Sequence, residues 1–224
     1  MRIGNKLYQN QGIHVISAIF TVIDNQVKIL LIKRKNKPYE NMWGLVGGAL
    51  YNNETLEDGT IREIFEKTGL SKVNLFQFGT YDEIDKTPDM RMIAVCYLGV
   101  IDASKATLIK ENKNTSDASW FNINSVPELA FNHNKILNDG IIKLKEKITE
   151  SNILKTLFPN EFTMPEIQRT YETILQKQFD RRNFRKKIIS LGLVEDVNKT
   201  ISQNGSKPAK LYRFKVNVAA KKIF

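Results

Sequence analysis

Three glutamates and an arginine stand at spacings that could hold a divalent cation. Glu54 is followed after seven residues by Arg62 and Glu63, and Glu66 comes three residues after Glu63. If this stretch is helical, Glu63 and Glu66 share one face, because side chains three apart are neighbours on a helix. Carboxylate oxygens are the ligands that Mg²⁺ prefers. The spacing therefore lets Glu63 and Glu66 point towards a shared cation, which makes them the candidate metal ligands.

The same residues belong to a longer pattern that resembles the Nudix box, GX5EX7REUXEEXGU, in which U is a large aliphatic residue. The pattern starts at Gly48 and ends with REIFEKTGL, residues 62–70; its one departure is Lys67, where the box has its last glutamate. The resemblance covers about residues 10–148 and implies a Nudix α/β/α sandwich with a mixed sheet. In that family the box glutamates hold divalent cations for hydrolysis of nucleoside diphosphates linked to another group, and the arginine orients a glutamate.

Lys67 changes the electrostatics of this site. It follows Glu63 by four residues, the favourable order for an ion pair on a helix. A positive group in place of a negative ligand shifts the balance by two charges against Mg²⁺. We therefore expect little or no hydrolysis, a retained ligand pocket and no required cofactor, with Mg²⁺ as an optional ion. The catalytic set then survives only in vestigial form, as Glu54, Arg62, Glu63 and Glu66.

An alternative keeps the metal site intact. Lys67 would then be an exposed, harmless substitution, and another carboxylate, Glu111 or Asp117, would complete the ligand set.

The candidate effector-binding residues lie around the box. Gly47 and Gly48 end a short strand, where glycine lets the chain turn sharply and bring its backbone close to a diphosphate. Asp89 and Arg91 lie in a loop before a strand, where they can grip a phosphate or ribose or equally pair with each other. The predicted effector-binding set is Gly47, Gly48, Glu63, Glu66, Asp89 and Arg91.

A second candidate site lies in the basic last third of the chain. Residues 151–224 hold 15 Lys or Arg against 6 Asp or Glu, so they carry +9 of the chain's net charge of +10. Such an imbalance points to a polyanion partner for this segment. A helix starting at Asp180 would have an apolar face of Phe184, Ile188 and Leu191, and basic and amide groups in its first turns. Reading of the DNA major groove requires such groups, although a solvated basic face is the alternative. The predicted DNA-binding residues are Arg181, Arg182, Asn183, Arg185, Lys186, Lys187, Lys207 and Lys210.

The elements that position these sites follow from hydrophobic periodicity and turn residues. Strands are predicted at 13–23, 27–33, 43–46, 73–84, 90–101 and 118–123, and helices at 55–68 and 134–148. After a boundary near 149–152, helices are predicted at 153–157, 163–176 and 180–191, and strands at 194–199 and 209–216 flanking Asn204-Gly205. Three helices and a two-stranded ribbon are the order of a winged helix. We therefore expect an α+β chain with a Nudix-like domain at 1–150 and a winged helix-turn-helix domain at 151–224.

As a whole the chain resembles the Nudix-related transcriptional regulators of the NrtR type. The likeness lies in residues 157–195, in GSKPAKLYRF at 205–214 and in a box that departs from the enzymatic pattern. It implies a homodimer that binds a pseudo-palindromic duplex DNA operator, as a repressor, and an effector in the Nudix pocket that alters DNA affinity. Branches of the family with NAD-related targets respond to ADP-ribose, and other branches respond to sugars.

The sequence also argues against a membrane protein and against a secreted protein. No apolar run approaches the roughly 18 to 20 residues that span a bilayer, and the first residues contain no apolar signal segment. The single cysteine, Cys96, cannot form an internal disulfide, so a cytoplasmic protein without a membrane partner is expected.

One alternative to a ligand-responsive regulator is a Mg²⁺-dependent Nudix hydrolase, such as an ADP-ribose pyrophosphatase, with a tail that binds nucleic acid. Another is an RNA-acting Nudix protein such as a cap hydrolase, which a winged helix disfavours because the A-form major groove does not admit a helix.

Overall fold

A long hairpin forms the centre of the first sheet. The computed structural model describes residues 11–83, 91–105, 107–158, 160–202 and 208–215. Strands β1 (Gln11–Ile23) and β2 (Gln26–Arg34) are joined at Asp24 and Asn25, whose φ angles are 51° and 56°. Asp and Asn tolerate this left-handed region better than other residues with a side chain, and two such residues in succession make the turn that suits a hairpin. The predicted hairpin is confirmed.

Five further strands complete this sheet. They are β3 (Trp43–Gly44), β4 (Val46–Ala49), β5 (Asn74–Glu83), β6 (Arg91–Val100) and β7 (Thr115–Asn122). The order is β3-β2-β1-β6-β5, with β4 on β1 and β7 on β2. The predicted single strand at 43–46 was wrong. The Leu45 N–H donates to Nδ1 of His133 at 3.0 Å, so the chain leaves one ladder there and joins another.

Two helices accompany this sheet, α1 (Leu56–Thr68) and α2 (His133–Glu150). Thr55 and Asp58 form a reciprocal capping box at the start of α1, and Gly69 ends it with a φ of 73°, a conformation that glycine adopts without steric cost. Both helices were predicted. Apolar spacing on α1 is only partly used for the core, because Ile64 is buried whereas Phe65 is 55% exposed.

The second part of the chain begins with a single 3-10 turn (Ile153–Thr156), followed by β8 (Phe162–Thr163), α3 (Met164–Leu175) and α4 (Arg181–Ser190). Strands β9 (Val194–Ile201) and β10 (Ala209–Phe214) follow, and the sheet order is β8-β10-β9. The winged-helix order is thus confirmed. The helix predicted at 153–157 is present as this 3-10 turn and not as an α-helix, and β8 was not predicted. The Asn204-Gly205 turn and Lys207 lie outside the described residues.

Aromatic packing holds this winged helix together. The rings of Tyr171 on α3 and Phe184 on α4 lie 5.5 Å apart, edge to face. Phe162 on β8 contacts Phe214 on β10 with 5.0 Å between ring centroids. Such pairs add about 0.5–1.5 kcal/mol each beyond their buried area. They fix α4 against the rest of the small domain, so that its opposite face is presented to solvent.

The chain divides into two compact units. One comprises Met1–Phe20, Lys28–Gly99 and Ala106–Ile141, and the other comprises Thr21–Val27, Val100–Lys105 and Ile142–Phe224. The predicted domain limits, 1–150 and 151–224, stay a prediction. Among the described residues, no helix has the length and apolar character needed to cross a membrane.

Candidate functional site

Arg62 gathers the three glutamates of the box. Its guanidinium makes two hydrogen bonds to the Glu54 carboxylate, at 2.6 and 2.9 Å. It also donates to Glu63 at 2.7 Å, and it approaches Glu66 at 3.5 Å. The hydrogen bonds from Arg62 lower the pKa of Glu54 to about 2. In return, hydrogen bonding to Glu54 raises the pKa of Arg62. The predicted role of Arg62, orienting glutamates, agrees with this geometry.

Two more contacts hold the guanidinium of Arg62 in place. It donates to the carbonyl oxygen of Ala49 at 2.9 Å, which ties α1 to the end of β4. It also stacks on the ring of Tyr51, with 3.8 Å between the guanidinium carbon and the ring centroid. Because Ala49 ends β4 and Tyr51 lies between β4 and α1, Arg62 clamps the end of the strand and the connecting segment onto the helix.

Lys67 lies on the other side of Glu63. Its ammonium is 2.9 Å from the Glu63 Oε2 atom and donates to the carbonyl oxygen of Gly47. The contact with Oε2 is an ion pair without hydrogen-bond geometry. Only 14% of the Lys67 side chain and 8% of the Glu63 side chain are exposed. The ion pair predicted from the i,i+4 spacing is therefore present, and it is largely shielded from water.

These contacts do not suit a divalent cation. The Glu63 carboxylate has a cation on each oxygen, because Arg62 contacts Oε1 and Lys67 contacts Oε2. A cation there would have to displace one of the two and would meet the charge of the other. Within the described residues, no cluster of three or more His, Cys, Asp or Glu side chains could hold a metal ion. The predicted ligands Glu63 and Glu66 thus do not fit Mg²⁺ as arranged.

The two carboxylates that could have completed a metal site are engaged elsewhere. Glu111 pairs with Lys35 at 2.8 Å and is 72% exposed, and this pairing lowers its pKa. Asp117 lies opposite Lys33 in the β2–β7 ladder and accepts from the Ser119 hydroxyl at 3.3 Å. Neither arrangement supports the alternative in which Lys67 is a harmless surface substitution.

A cavity of about 240 Å³ opens beside Lys67. Its walls come from β1, β2, the β3–β4 segment, β6 and the residues just before α2. Gly47 and Gly48 form part of the wall, but they lie within β4 and not at a sharp turn that ends a strand, and their role in effector binding stays a prediction. A Cβ atom on Gly47 would collide with the backbone of β1, and one on Gly48 with the Glu63 carboxylate. Glycine is therefore needed at both positions for packing within the protein.

The polar groups of this cavity are basic or neutral. Arg34 lies over the Phe131 ring at 4.8 Å and donates to the Pro38 carbonyl oxygen at 3.1 Å. Burial, followed by the charge of Lys67, lowers the pKa of His14, so this imidazole is neutral at pH 7. None of the described residues that line the cavity is Asp or Glu. The cavity therefore suits an anionic ligand with a planar or apolar part.

The cavity unites some predicted effector residues and leaves others apart. Glu63 and Glu66 are not among the described residues that line it, although Glu63 lies directly behind Gly48. Arg91 forms an exposed ion pair with Asp82 at 2.7 Å, while Asp89 lies outside the described residues. Effector roles for these four side chains stay predictions.

Sequence reasoning missed several residues of this cavity. None of Arg34, Phe131, Asn132, His14 and His133 was predicted from the sequence as a site residue. These residues come from three distant segments of the chain, so no local spacing connects them. One local feature of this part of the chain is the unusual backbone conformation of Phe131, with a φ of 58°. The residue types alone do not predict that conformation.

The candidate nucleic-acid interface is the solvent face of α4. Asp180 caps the helix by accepting from the Asn183 N–H at 2.9 Å. Phe184 and Ile188 are buried, as predicted, and Leu191 is half-buried. The predicted DNA-binding residues of this helix are all exposed: Arg181, Arg182, Asn183, Arg185, Lys186 and Lys187. The helix therefore presents a basic face to solvent while its apolar face anchors it.

A groove runs between this helix, the start of α3 and strand β10. Arg181, Arg185 and Lys210 line it together with Gln168 and Tyr212. Arg185 donates to the Tyr212 hydroxyl at 3.1 Å, whereas Lys210 pairs with Asp196 at 2.8 Å. The Tyr212 hydroxyl thus positions Arg185 at the edge of the groove. The part of the chain that contains the first sheet thus holds a basic cavity with apolar walls, and the winged helix presents an exposed basic helix. Together these two features indicate a ligand-responsive, DNA-binding transcription regulator.

Comparison with known proteins agrees with this class. The family model of the NUDIX domain matches residues 13–140. The model of the NrtR DNA-binding winged helix domain matches residues 154–214. The chain therefore belongs to the Nudix family, as a regulator of the NrtR type.

Two relatives span nearly the whole chain, and a third matches little more than half of it. The chain is 29% identical over 211 residues to the ADPR responsive transcriptional repressor NtrR of Acinetobacter baylyi, covering 92% of this chain and 83% of that protein. It superposes on Shewanella oneidensis NrtR complexed with a 27mer DNA with a TM-score of 0.79, at 27% identity, over 91% of this chain and 93% of the other. An ADP-ribose pyrophosphatase of Methanocaldococcus jannaschii is 35% identical over 127 residues, which cover 57% of this chain and 73% of that protein.

Proposed function

We propose that the chain is a homodimeric transcriptional repressor whose DNA affinity is changed by ADP-ribose and which does not hydrolyse that ligand. The observation that carries the proposal is the cavity itself, whose charged side chains are Arg34 and Lys67. A diphosphate would meet both cations, while an adenine ring would find the Phe131 ring and an aliphatic wall. The Acinetobacter relative is named as ADPR responsive, which supports the same ligand.

DNA binding is proposed for the basic face of α4. Arginine pairs with guanine edges, asparagine with adenine, and lysine with phosphates, and the first turns of α4 carry all three types. Two copies of this helix in a dimer would read two half-sites about one helical turn apart. Such a regulator would act on the chromosome, in the cytoplasm. A dimer of the 25.8 kDa chain is checked by sedimentation velocity with and without DNA.

Absence of hydrolysis is proposed from the carboxylates of the box. Each oxygen of Glu63 contacts a basic side chain, and the pKa of Glu54 is far below neutral because of its hydrogen bonds to Arg62. Neither carboxylate is arranged to hold a cation, and Glu54 does not accept a proton at pH 7. Because the relative from Methanocaldococcus is named an ADP-ribose pyrophosphatase, hydrolysis of ADP-ribose by this chain has to be tested directly.

One experiment tests the function as a whole. Duplexes that bind the protein are selected from a randomised pool, and their affinity is then measured by fluorescence anisotropy with increasing ADP-ribose, NAD or pentoses. We expect ADP-ribose to change the affinity by at least about fivefold, the lower end of typical allosteric coupling. R34Q should weaken the response, and K35Q, which replaces a paired lysine outside the cavity lining, should not. Release of AMP from ADP-ribose in the presence of Mg²⁺ would contradict the proposal, and a response to pentoses alone would identify a sugar as the effector.

A further inference from the structure

The ammonium of Lys67 lies where the acidic face of α1 meets the cavity. It is held from the helix side by Glu63, at 2.9 Å, and from the strand side by the Gly47 carbonyl oxygen. Lys67 also lines the cavity. An ammonium has three N–H donors; the Gly47 carbonyl oxygen accepts from one of them, and the contact with Glu63 lacks hydrogen-bond geometry, so at least one N–H is left for a ligand oxygen. A lysine fixed in this way behaves as a point charge that is already in place before a ligand arrives.

The other described residues that line the cavity do not offset the positive charge of Lys67. Arg34 is the other cation in the lining, and His14 is neutral at pH 7 because burial lowers its pKa. None of the described lining residues carries a negative charge. The described lining thus presents only positive charge to a ligand, and the nearest carboxylate, Glu63, lies behind Gly48 and is paired with Lys67 and Arg62.

We propose that Lys67 is a built-in counter-charge that takes the place of a divalent cation, so that the cavity binds a phosphate-bearing ligand without metal. The inference rests on the proposed function only in that the ligand enters this cavity. Mg²⁺ coordinates oxygen at about 2.0–2.1 Å in near-octahedral geometry. A cation bound to Glu63 Oε2 would lie against the Lys67 ammonium, which is itself 2.9 Å from that atom. The two positive groups thus exclude each other, and the tethered one is always present.

The test uses the full chain and two ligands, ADP-ribose and inorganic pyrophosphate, in isothermal titration calorimetry. Wild-type affinity for each ligand should be the same in EDTA and in Mg²⁺. K67Q should weaken binding about tenfold or more, since a charge-assisted hydrogen bond is lost, while K67R should retain most of the affinity. K35Q is the matched control, because Lys35 pairs with Glu111 at 2.8 Å but does not line the cavity. Thermal unfolding of each variant shows whether the fold is kept.

The reverse substitution, K67E, provides a gain of function. It removes the tethered cation and adds a third carboxylate to the face that carries Glu63 and Glu66. Titration with Mn²⁺ alone, followed by the loss of the free-ion signal in electron paramagnetic resonance, should show binding by K67E and none by the wild type. Equal Mn²⁺ binding by both proteins would overturn the exclusion on which the proposal depends.

The outcomes separate this proposal from the choice of effector. Binding of pyrophosphate but not ADP-ribose, lost in K67Q, would leave Lys67 in its role and refute ADP-ribose as the effector. Equal ADP-ribose binding by wild type and K67Q would keep the effector and refute the role of Lys67. Wild-type affinity that rises more than tenfold with Mg²⁺ would also refute it, and this result needs no variant to fold.

Discussion

Removing the Tyr212 hydroxyl should weaken DNA binding even though Tyr212 itself is buried and need not touch DNA. Tyr212 is 4% exposed, and its hydroxyl accepts a hydrogen bond from Arg185 at 3.1 Å. In Y212F the ring stays and only this bond is lost, so Arg185 regains rotamer freedom that DNA binding must then remove. Ordering such a side chain costs about 0.5–1.5 kcal/mol. The dissociation constant should therefore rise roughly 2- to 12-fold.

A double-mutant cycle tells whether the hydroxyl acts through Arg185. R185A should cost about 1–3 kcal/mol if Arg185 reads a base, and Y212F should add nothing to R185A, because its only effect passes through the missing guanidinium. R182A serves as the control, since Arg182 is exposed on the same helix and should combine with Y212F additively. Affinities are measured by fluorescence anisotropy on a selected duplex at one fixed salt concentration. Unaltered affinity in Y212F, or additivity with R185A, would refute the reasoning.

Three further outcomes concern the sensor domain. G48A should lower the free energy of unfolding by about 1–3 kcal/mol, because the added Cβ meets the Glu63 carboxylate between its two cations; unchanged thermal unfolding would contradict this packing. The folded-state pKa of Glu54, about 2, lies below the ordinary value of 4.5, so its contribution to stability is complete above pH 4.5 and disappears as the pH falls from 4.5 towards 2. Urea unfolding curves of wild type and E54Q should converge over that range, and a constant difference would exclude the ion pair as its source. Burial raises the pKa of the Cys96 thiol to about 12, so a disulfide reagent at pH 8 should label it only after unfolding; rapid labelling of the native protein would show that the strand opens.

The parts of the fold that the sequence predicts are those with local chemical signals. Asp24 and Asn25 tolerate the left-handed turn of the first hairpin, and Gly69 ends α1 for the same conformational reason. Thr163, Pro165 and Glu166 together specify the start of α3. Each of these signals acts over fewer than five residues, so its effect does not depend on how the rest of the chain folds.

The parts that escape prediction depend on distant partners. Strand β8 has two residues, Phe162 and Thr163, and exists because β10 pairs with it. The single strand predicted at 43–46 divides at Leu45 because His133, 88 residues later, accepts its N–H. Arg34 reaches the cavity only once β2 and the turn before α2 are assembled. Neither periodicity nor spacing contains such information.

The candidate site shows the same division. The helix that carries the basic face proposed to bind DNA could be predicted, since charge, capping and apolar spacing all occur within Asp180–Leu191. The position of Arg185 against Tyr212 could not, because 27 residues separate the two. For the sensor, one substitution in a long motif, Lys67, pointed to the electrostatic change, whereas the cavity beside it was visible only in three dimensions.

The clamp made by Arg62 has a consequence for the way motifs are interpreted. One guanidinium joins Glu54 and Glu63 to the carbonyl oxygen of Ala49, so the spacing of these residues is required for the strand, the connecting segment and α1 to pack together. Folding alone therefore gives a reason to keep these residues, whether or not the chain hydrolyses its ligand. A match to this motif then indicates how a strand and a helix are joined, and it says less about catalysis than the residue at the position of Lys67, which sets the charge beside Glu63.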